Sequence, residues 1–196
     1  MISSIVLAAG MSTRMGQPKG LLEWGAESLL SYQVRQLNDA GVDEVVVVLG
    51  FQSDAVHRTI RPLNCRVMNN PLYHTGRSGS LRIGAKAVNR DAESILIVNV
   101  DQPRPASALK TLIAAHDTKY AATRPSHDGH SGHPVVVSGW LRAELLEASE
   151  EAGGLRGILR AHGTEIQDLP GDALWTLDLN TPEEYRQAVD AFRAKV

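Results

Sequence analysis

Apolar residues fall along this chain in two alternating patterns. Short runs rich in Val, Ile and Leu mark buried strands at residues 2–7, 44–49, 65–68 and 94–100. Stretches with helical spacing lie between and after them. Residues 28–40 place Leu29, Leu30, Val34 and Leu37 on one stripe, with Gly41 as a stop. Helices are likewise predicted over 53–60, 80–88, 107–115, 140–148, 155–161 and 181–194, and shorter strands over 120–123, 134–137, 164–169 and 174–177. Strands that are apolar throughout need cover on both faces, so their alternation with helices predicts a mostly parallel sheet between two helical layers. With neither linker nor repeat, the expectation is a single α/β domain over residues 1–196. In such sheets ligands sit beyond the carboxyl ends of the strands, and those loops are where chemistry is expected.

Composition narrows the classes. Hydrophobic residues are 43% and charged residues 21%, as in a soluble globular protein. Twenty basic against 22 acidic residues leave a net charge of −2, which argues against a nucleic-acid partner. A single cysteine, Cys65, excludes a disulfide framework within one chain. The apolar run before Gly10 is too short for a membrane span or signal segment, since Arg14 soon follows. These features fit a reduced, cytoplasmic, single-domain protein. Glycine stands out at 17 of 196 residues, about 9% against a usual value of about 7%.

Gly10 and Gly16 flank the loop after the first strand, Leu7-Ala8-Ala9-Gly10-Met11-Ser12-Thr13-Arg14-Met15-Gly16-Gln17-Pro18-Lys19. Small residues let backbone N–H groups approach an anion, and Arg14 and Lys19 add two positive charges. The loop lacks the second glycine of a dinucleotide fingerprint, and Lys19 lacks the following Ser or Thr of a Walker loop. A phosphate cradle and an ordinary basic turn both fit these residue types. Asn70 opens a second glycine-containing loop in which Gly76 and Gly79 permit close approach and Ser78 and Ser80 offer hydroxyls; a turn with a helix cap fits equally. Asp101 ends the 94–100 strand, where a carboxylate suits a Mg²⁺ ligand or simply starts a turn before Pro103. Thr181, Pro182 and Glu184 carry the pattern of a helix start. His127, His130 and His133 have zinc-like spacing, but Asp-Gly and Ser-Gly between them favour a loop. His57, His74, His116 and His162 have no partner pattern and are expected at the surface.

The first loop resembles the signature of the MobA-like nucleotidyltransferases, particularly the molybdenum cofactor cytidylyltransferases, at every fixed position. The segments Asn70-Pro71-x-Tyr73-x-x-Gly76-x-Ser78-x-Ser80-Leu81, Asp101-Gln102-Pro103, Gly132-His133-Pro134, Gly153-Gly154-x-Arg156-Gly157 and Asp178-Leu179-Asn180-Thr181-Pro182-Glu183 resemble further family segments in the same order. Arg77 stands where Met is common, Gly79 where Ser is common, and Asn180 replaces a carboxylate. The resemblance implies a three-layer Rossmann-like nucleotidyltransferase domain. It implies that Leu7, Ala8, Ala9, Gly10, Asn70, Gly76, Ser78 and Ser80 surround the nucleotide, and that Arg14 and Lys19 neutralise its phosphates. Asp101 would bind Mg²⁺ together with Asp178 or Asn180, while Gln102, His133 and Arg156 would face the acceptor.

The implied reaction moves a nucleoside monophosphate from an NTP to a phosphate-bearing acceptor, with release of pyrophosphate and no protein nucleophile. Leu-Ala-Ala-Gly at residues 7–10 points, by resemblance, to CTP and to molybdopterin, with a molybdoenzyme as recipient of the product. A sugar-phosphate or isoprenoid-precursor transferase of the same fold, and a non-catalytic cofactor carrier, are the alternatives.

Overall fold

The computed structural model describes residues 1–193. Its strands are β1 (Ile2–Ala8), β2 (Glu23–Trp24), β3 (Glu27–Ser28), β4 (Glu44–Leu49), β5 (Arg66–Asn69), β6 (Ser94–Asn99), β7 (Ala122–His127), β8 (His130–Ser131), β9 (Val135–Ser138) and β10 (Ile166–Pro170). The α-helices are α1 (Leu29–Asp39), α2 (Ser53–Ile60), α3 (Ser78–Ala87), α4 (Ala106–Ala115), α5 (Arg142–Leu146), α6 (Gly154–Ala161) and α7 (Pro182–Arg193). The main sheet has the order β10-β7-β9-β6-β1-β4-β5, with β8 paired to β7. All its neighbours are parallel except where β9 and β8 pair. The mostly parallel sheet expected from the uniform apolar runs is therefore present.

Successive strand residues point to opposite faces, and each face has its own core. Val6, Val47, Leu96 and Val98 pack with Leu30, Val34, Val56, Ile60, Leu109 and Leu112 from α1, α2 and α4. Ile5, Val46, Val48, Ile95 and Ile97 pack with Leu81, Ala85 and Leu145 from α3 and α5, and Leu155, Ile158 and Leu159 of α6 border that side. The result is the three-layer arrangement. A smaller cluster joins Trp24, Leu29 and Tyr32 to Leu179, Ala188 and Val189, seating α7 against the β2–β3 hairpin. Among the described residues no helix is long and apolar enough to cross a membrane.

Three local expectations need correction. Residues 174–177 are not a strand: Ala173–Thr176 forms a 3-10 turn, started by the Asp172 carboxylate accepting from the Leu174 N–H at 2.9 Å. The Trp175 carbonyl accepts from Arg104 and from the His133 N–H, and the Leu177 carbonyl just past the turn accepts from Arg104, so neither joins a strand ladder. The loop at 127–133 holds a short hairpin, because Asp128 and Gly129 both take positive φ (48° and 77°), the geometry of a two-residue turn. His116 is not a surface residue: it is half-buried between Thr123 (2.9 Å) and Ser138 (3.2 Å), and burial lowers its pKa. The predicted final helix extends to Ala194, which lies outside the described residues.

Candidate active site

Parallel pairing sets the site. In register, Leu7 of β1 faces Asn99 of β6, so the loop leaving β1 emerges beside the turn that carries Asp101. The Val100 N–H donates to the Leu7 carbonyl at 3.2 Å and closes the edge. Ser12 takes positive φ (52°) in the β1 loop, and its hydroxyl accepts from the Lys19 backbone N–H at 3.2 Å. The loop thereby folds Lys19 back over the strand ends.

Lys19 is 8% exposed, and its ammonium is held at 2.7 Å from Asp101 Oδ2 and 3.1 Å from Asn180 Oδ1. A capping box fixes Asn180. Glu184 accepts from the Asn180 and Thr181 N–H groups at 2.8 and 2.9 Å, and the Thr181 hydroxyl accepts from the Glu184 N–H at 3.2 Å. The Leu179 N–H also donates to the Asp101 carbonyl at 2.9 Å, stitching the two segments together. An ammonium only donates, so it selects the oxygen of the Asn180 amide. Two hard oxygens thus converge on one cation. A carboxylate and an amide carbonyl, completed by phosphate oxygens and water, suit Mg²⁺ or a similar divalent ion.

Asp178 is directed elsewhere. Its Oδ1 accepts from Gln102 Nε2 at 2.6 Å, Asn99 Nδ2 donates to Gln102 Oε1 at 2.7 Å, and Arg77 Nη2 donates to Asn99 Oδ1 at 2.5 Å. Among the described residues no group of three His, Cys, Asp or Glu is placed to hold a metal. His127 and His130 bond to the backbone carbonyls of Gly171 and Asp128 instead of converging with His133.

Two hollows meet at this edge. The smaller, about 320 Å³, is lined by the β1 loop (Leu7, Ala8, Ala9, Gly10, Arg14, Lys19), by Gly76 and Ser80, and by Asp101 and Asn180. The larger, about 670 Å³, carries Ser78, His133 and Arg156 together with Arg124, Glu150 and Arg160. Leu7, Arg77 and Asn99 line both. Ser78 thus faces the larger hollow and not the one bounded by the β1 loop. Asn70, 2% exposed, is in neither wall: it donates to Ser80 Oγ at 2.9 Å and accepts from the Leu72 N–H at 3.0 Å, bracing the loop from behind. Gln102, 6% exposed, and Asp178 likewise stand behind the walls.

Composition and spacing gave no sign of Arg104. It is 2% exposed and donates to the carbonyls of Pro103, His133, Trp175 and Leu177, tying three loops of the site. Burial pushes its pKa down to about 10, opposed by Asp178, Asp101 and Asp172, so it stays charged at neutral pH. Burial likewise lowers the pKa of His133 and favours a neutral imidazole on the larger hollow's wall. Glu150 accepts from the Ser78 N–H at 2.5 Å, and this bond leads the causes that lower its carboxyl pKa.

Sequence and structure comparisons show what the chain as a whole is similar to. The chain is 25% identical over 194 residues to the molybdenum cofactor cytidylyltransferase of Escherichia coli K12, covering 97% of each protein. It is 25% identical to a probable molybdenum cofactor guanylyltransferase of Bacillus mycoides, covering 95% of this chain and 94% of that one. It is also 27% identical over 167 residues to the nicotine blue oxidoreductase of Paenarthrobacter nicotinovorans, covering 81% of each. Among solved structures, a nucleotidyl transferase from Methanothermobacter superposes with a TM-score of 0.85 at 23% identity, over 100% of this chain and 99% of that one. A manganese complex of Rv0371c from Mycobacterium tuberculosis superposes at 0.76 with 24% identity, over 97% and 98%. The profile of the MobA-like NTP transferase domain matches residues 4–166, more than half of the chain, so the chain belongs to that family.

Proposed function

We propose that this chain transfers the nucleoside monophosphate of CTP to the terminal phosphate of molybdopterin or its molybdenum-loaded form, releasing pyrophosphate. The observation that carries the reading is the buried Lys19 ammonium shared by Asp101 and Asn180 beneath the β1 loop. It supports the reading because a fixed cation and two hard oxygens line the same hollow as Ala8, Ala9 and Gly10, along which a triphosphate would lie. Arg14, at the rim of the same hollow, adds a second positive charge.

The acceptor belongs in the larger hollow, where Arg124, Arg156 and Arg160 suit an anionic ligand. Arg124 is already paired with Asp168 at 2.6 Å, which leaves Arg156 and Arg160, four residues apart on α6, to meet the acceptor. Asp101 and Asn180 would hold a divalent ion, which supplies Lewis-acid neutralisation of the phosphates. The Rv0371c manganese complex is consistent with use of such an ion. The remaining work belongs to the protein: Lys19 and Arg14 bind charge, and the two hollows align acceptor oxygen and α-phosphorus. CTP is favoured by Ala8-Ala9-Gly10 and by the E. coli relative, and a cytoplasmic setting by the lone Cys65.

Pyrophosphate release from each of the four NTPs, with molybdopterin, a sugar phosphate or a methylerythritol phosphate as acceptor, tests the reading with and without Mg²⁺ or Mn²⁺. The expected outcome is metal-dependent turnover with CTP and molybdopterin, and its loss by about 10²-fold or more in Asp101→Ala. Full activity in that variant would sink the metal assignment. Tight molybdopterin binding without turnover of any NTP would make the chain a carrier.

A further inference from the structure

Arg77 is the charged side chain that, among the described residues, lines both hollows. Its backbone is clamped on each side. Gly76 before it has φ +125°, a conformation that L side chains rarely adopt, and a Cβ there would meet the Glu150 carboxyl carbon at 2.5 Å. The N–H of Ser78 after it is held by the Glu150 carboxylate. The guanidinium is then aimed by a run of hydrogen bonds with only one consistent polarity. The Asp178 carboxylate accepts only, so the Gln102 amide must turn its NH₂ towards it and its oxygen towards Asn99. The Asn99 NH₂ fills that oxygen, which leaves the Asn99 oxygen for Arg77. An anionic residue behind the wall thus fixes the orientation of a cation in front of it.

We propose that Arg77 is a catalytic residue contacting the phosphoryl group in transfer, and that Asp178, Gln102 and Asn99 are positioning residues acting through it. This rests on the nucleotidyl-transfer reading. In that reaction an acceptor phosphate oxygen forms a bond to the α-phosphorus. The α-phosphorus bond to the bridging oxygen breaks, and the pair leaves with pyrophosphate. No proton and no redox partner is required. Two anions must approach one another where the hollows meet, and charge spreads over the equatorial oxygens as they do. A guanidinium fixed at that junction opposes the repulsion more strongly in the transition state than in either separate complex. Asp178 accordingly leaves the metal to Asp101 and Asn180 and serves the junction instead.

The test uses the full chain with CTP and molybdopterin, alongside calorimetric binding of a non-hydrolysable α,β-methylene CTP. Arg77→Met is expected to lower kcat by about 10²–10³-fold while nucleotide affinity changes less than about threefold, with partial rescue in Arg77→Lys. Asp178→Asn, which permits the amide run to reverse, should lower kcat by about tenfold with the concentration of Mg²⁺ for half-maximal rate unchanged. Retained analogue binding establishes that each variant is folded. A kcat within about threefold of the wild type for Arg77→Met overturns the role of Arg77 alone. A shifted Mg²⁺ requirement in Asp178→Asn returns that residue to the metal and overturns the positioning role. A wild-type chain that turns over no NTP overturns the parent reading and this one with it.

Discussion

A single contact decides how the site reads at the scale of residues. Lys19 and Asp101 have side-chain exposures of 9% and 23%, so their pairing is poorly screened, and removing one partner strands the other's charge. A double-mutant cycle of Lys19→Met with Asp101→Asn is expected to show a coupling of about 1–3 kcal/mol by urea denaturation at neutral pH. Additive effects would mean that the ammonium is solvated and not shared. Lys19 and Asp101 were legible in sequence as candidates through the resemblance to the nucleotidyltransferase segments, since their residue types alone fit a basic turn and an Asp-led turn equally well. The choice between Asp178 and Asn180 was not legible. Two residues apart in irregular backbone, they meet different partners, and those partners, Lys19 for Asn180 and Gln102 for Asp178, are distant in sequence. Arg104 escaped for a related reason: its partners are backbone carbonyls, which leave no trace in side-chain patterns.

Elements were recognisable where burial was uniform. The strand at 44–49 and the helix at 53–60 coincide with β4 and α2, because an apolar run or stripe flanked by polar residues leaves few alternatives. Helix α3 keeps Gly84 although glycine disfavours helices, and packing gives the reason. A Cβ at residue 84 would lie 2.3 Å from Ile5 Cγ2 on the central strand β1. Gly84→Ala should therefore lower stability by about 1–3 kcal/mol through overpacking, although alanine is the better helix former by about 1 kcal/mol. An unchanged or raised urea midpoint would mean that α3 can slide away from the sheet without loss. That intimacy bears on the role proposed for Arg77, since α3 begins beside it and a shift of the helix would move its guanidinium. The turn at 173–176 shows the opposite case. Its apolar residues mimic a strand, but carbonyls claimed by a buried arginine override the pattern.

The whole molecule joins the carboxyl edge of the sheet to loops that arrive from distant parts of the chain, and Arg104 is where several of them meet. Replacing it with Met removes the side-chain donor from the carbonyls of Pro103, His133 and Leu177 and leaves the Trp175 carbonyl only the His133 N–H. A loss of about 3 kcal/mol or more is expected for Arg104→Met in chemical denaturation, with Arg104→Lys intermediate because a compact ammonium cannot span the same acceptors. A loss below about 1 kcal/mol would show that the loops hold one another without it. The larger hollow, proposed for the acceptor, was the least legible part of the molecule. Its wall draws on α3, β7, the 149–154 loop and α6, which the sheet topology alone brings together.

The shared wall of Leu7, Arg77 and Asn99 has a further consequence for inhibition. Adjoining chambers can be filled by one covalently linked molecule, which surrenders its translational freedom once where two separate ligands surrender it twice. A nucleoside joined through a phosphate chain to an anionic head would engage the β1 loop and α6 together. The spacer would run past Arg77, and its length would gauge how far apart the two reactants are held.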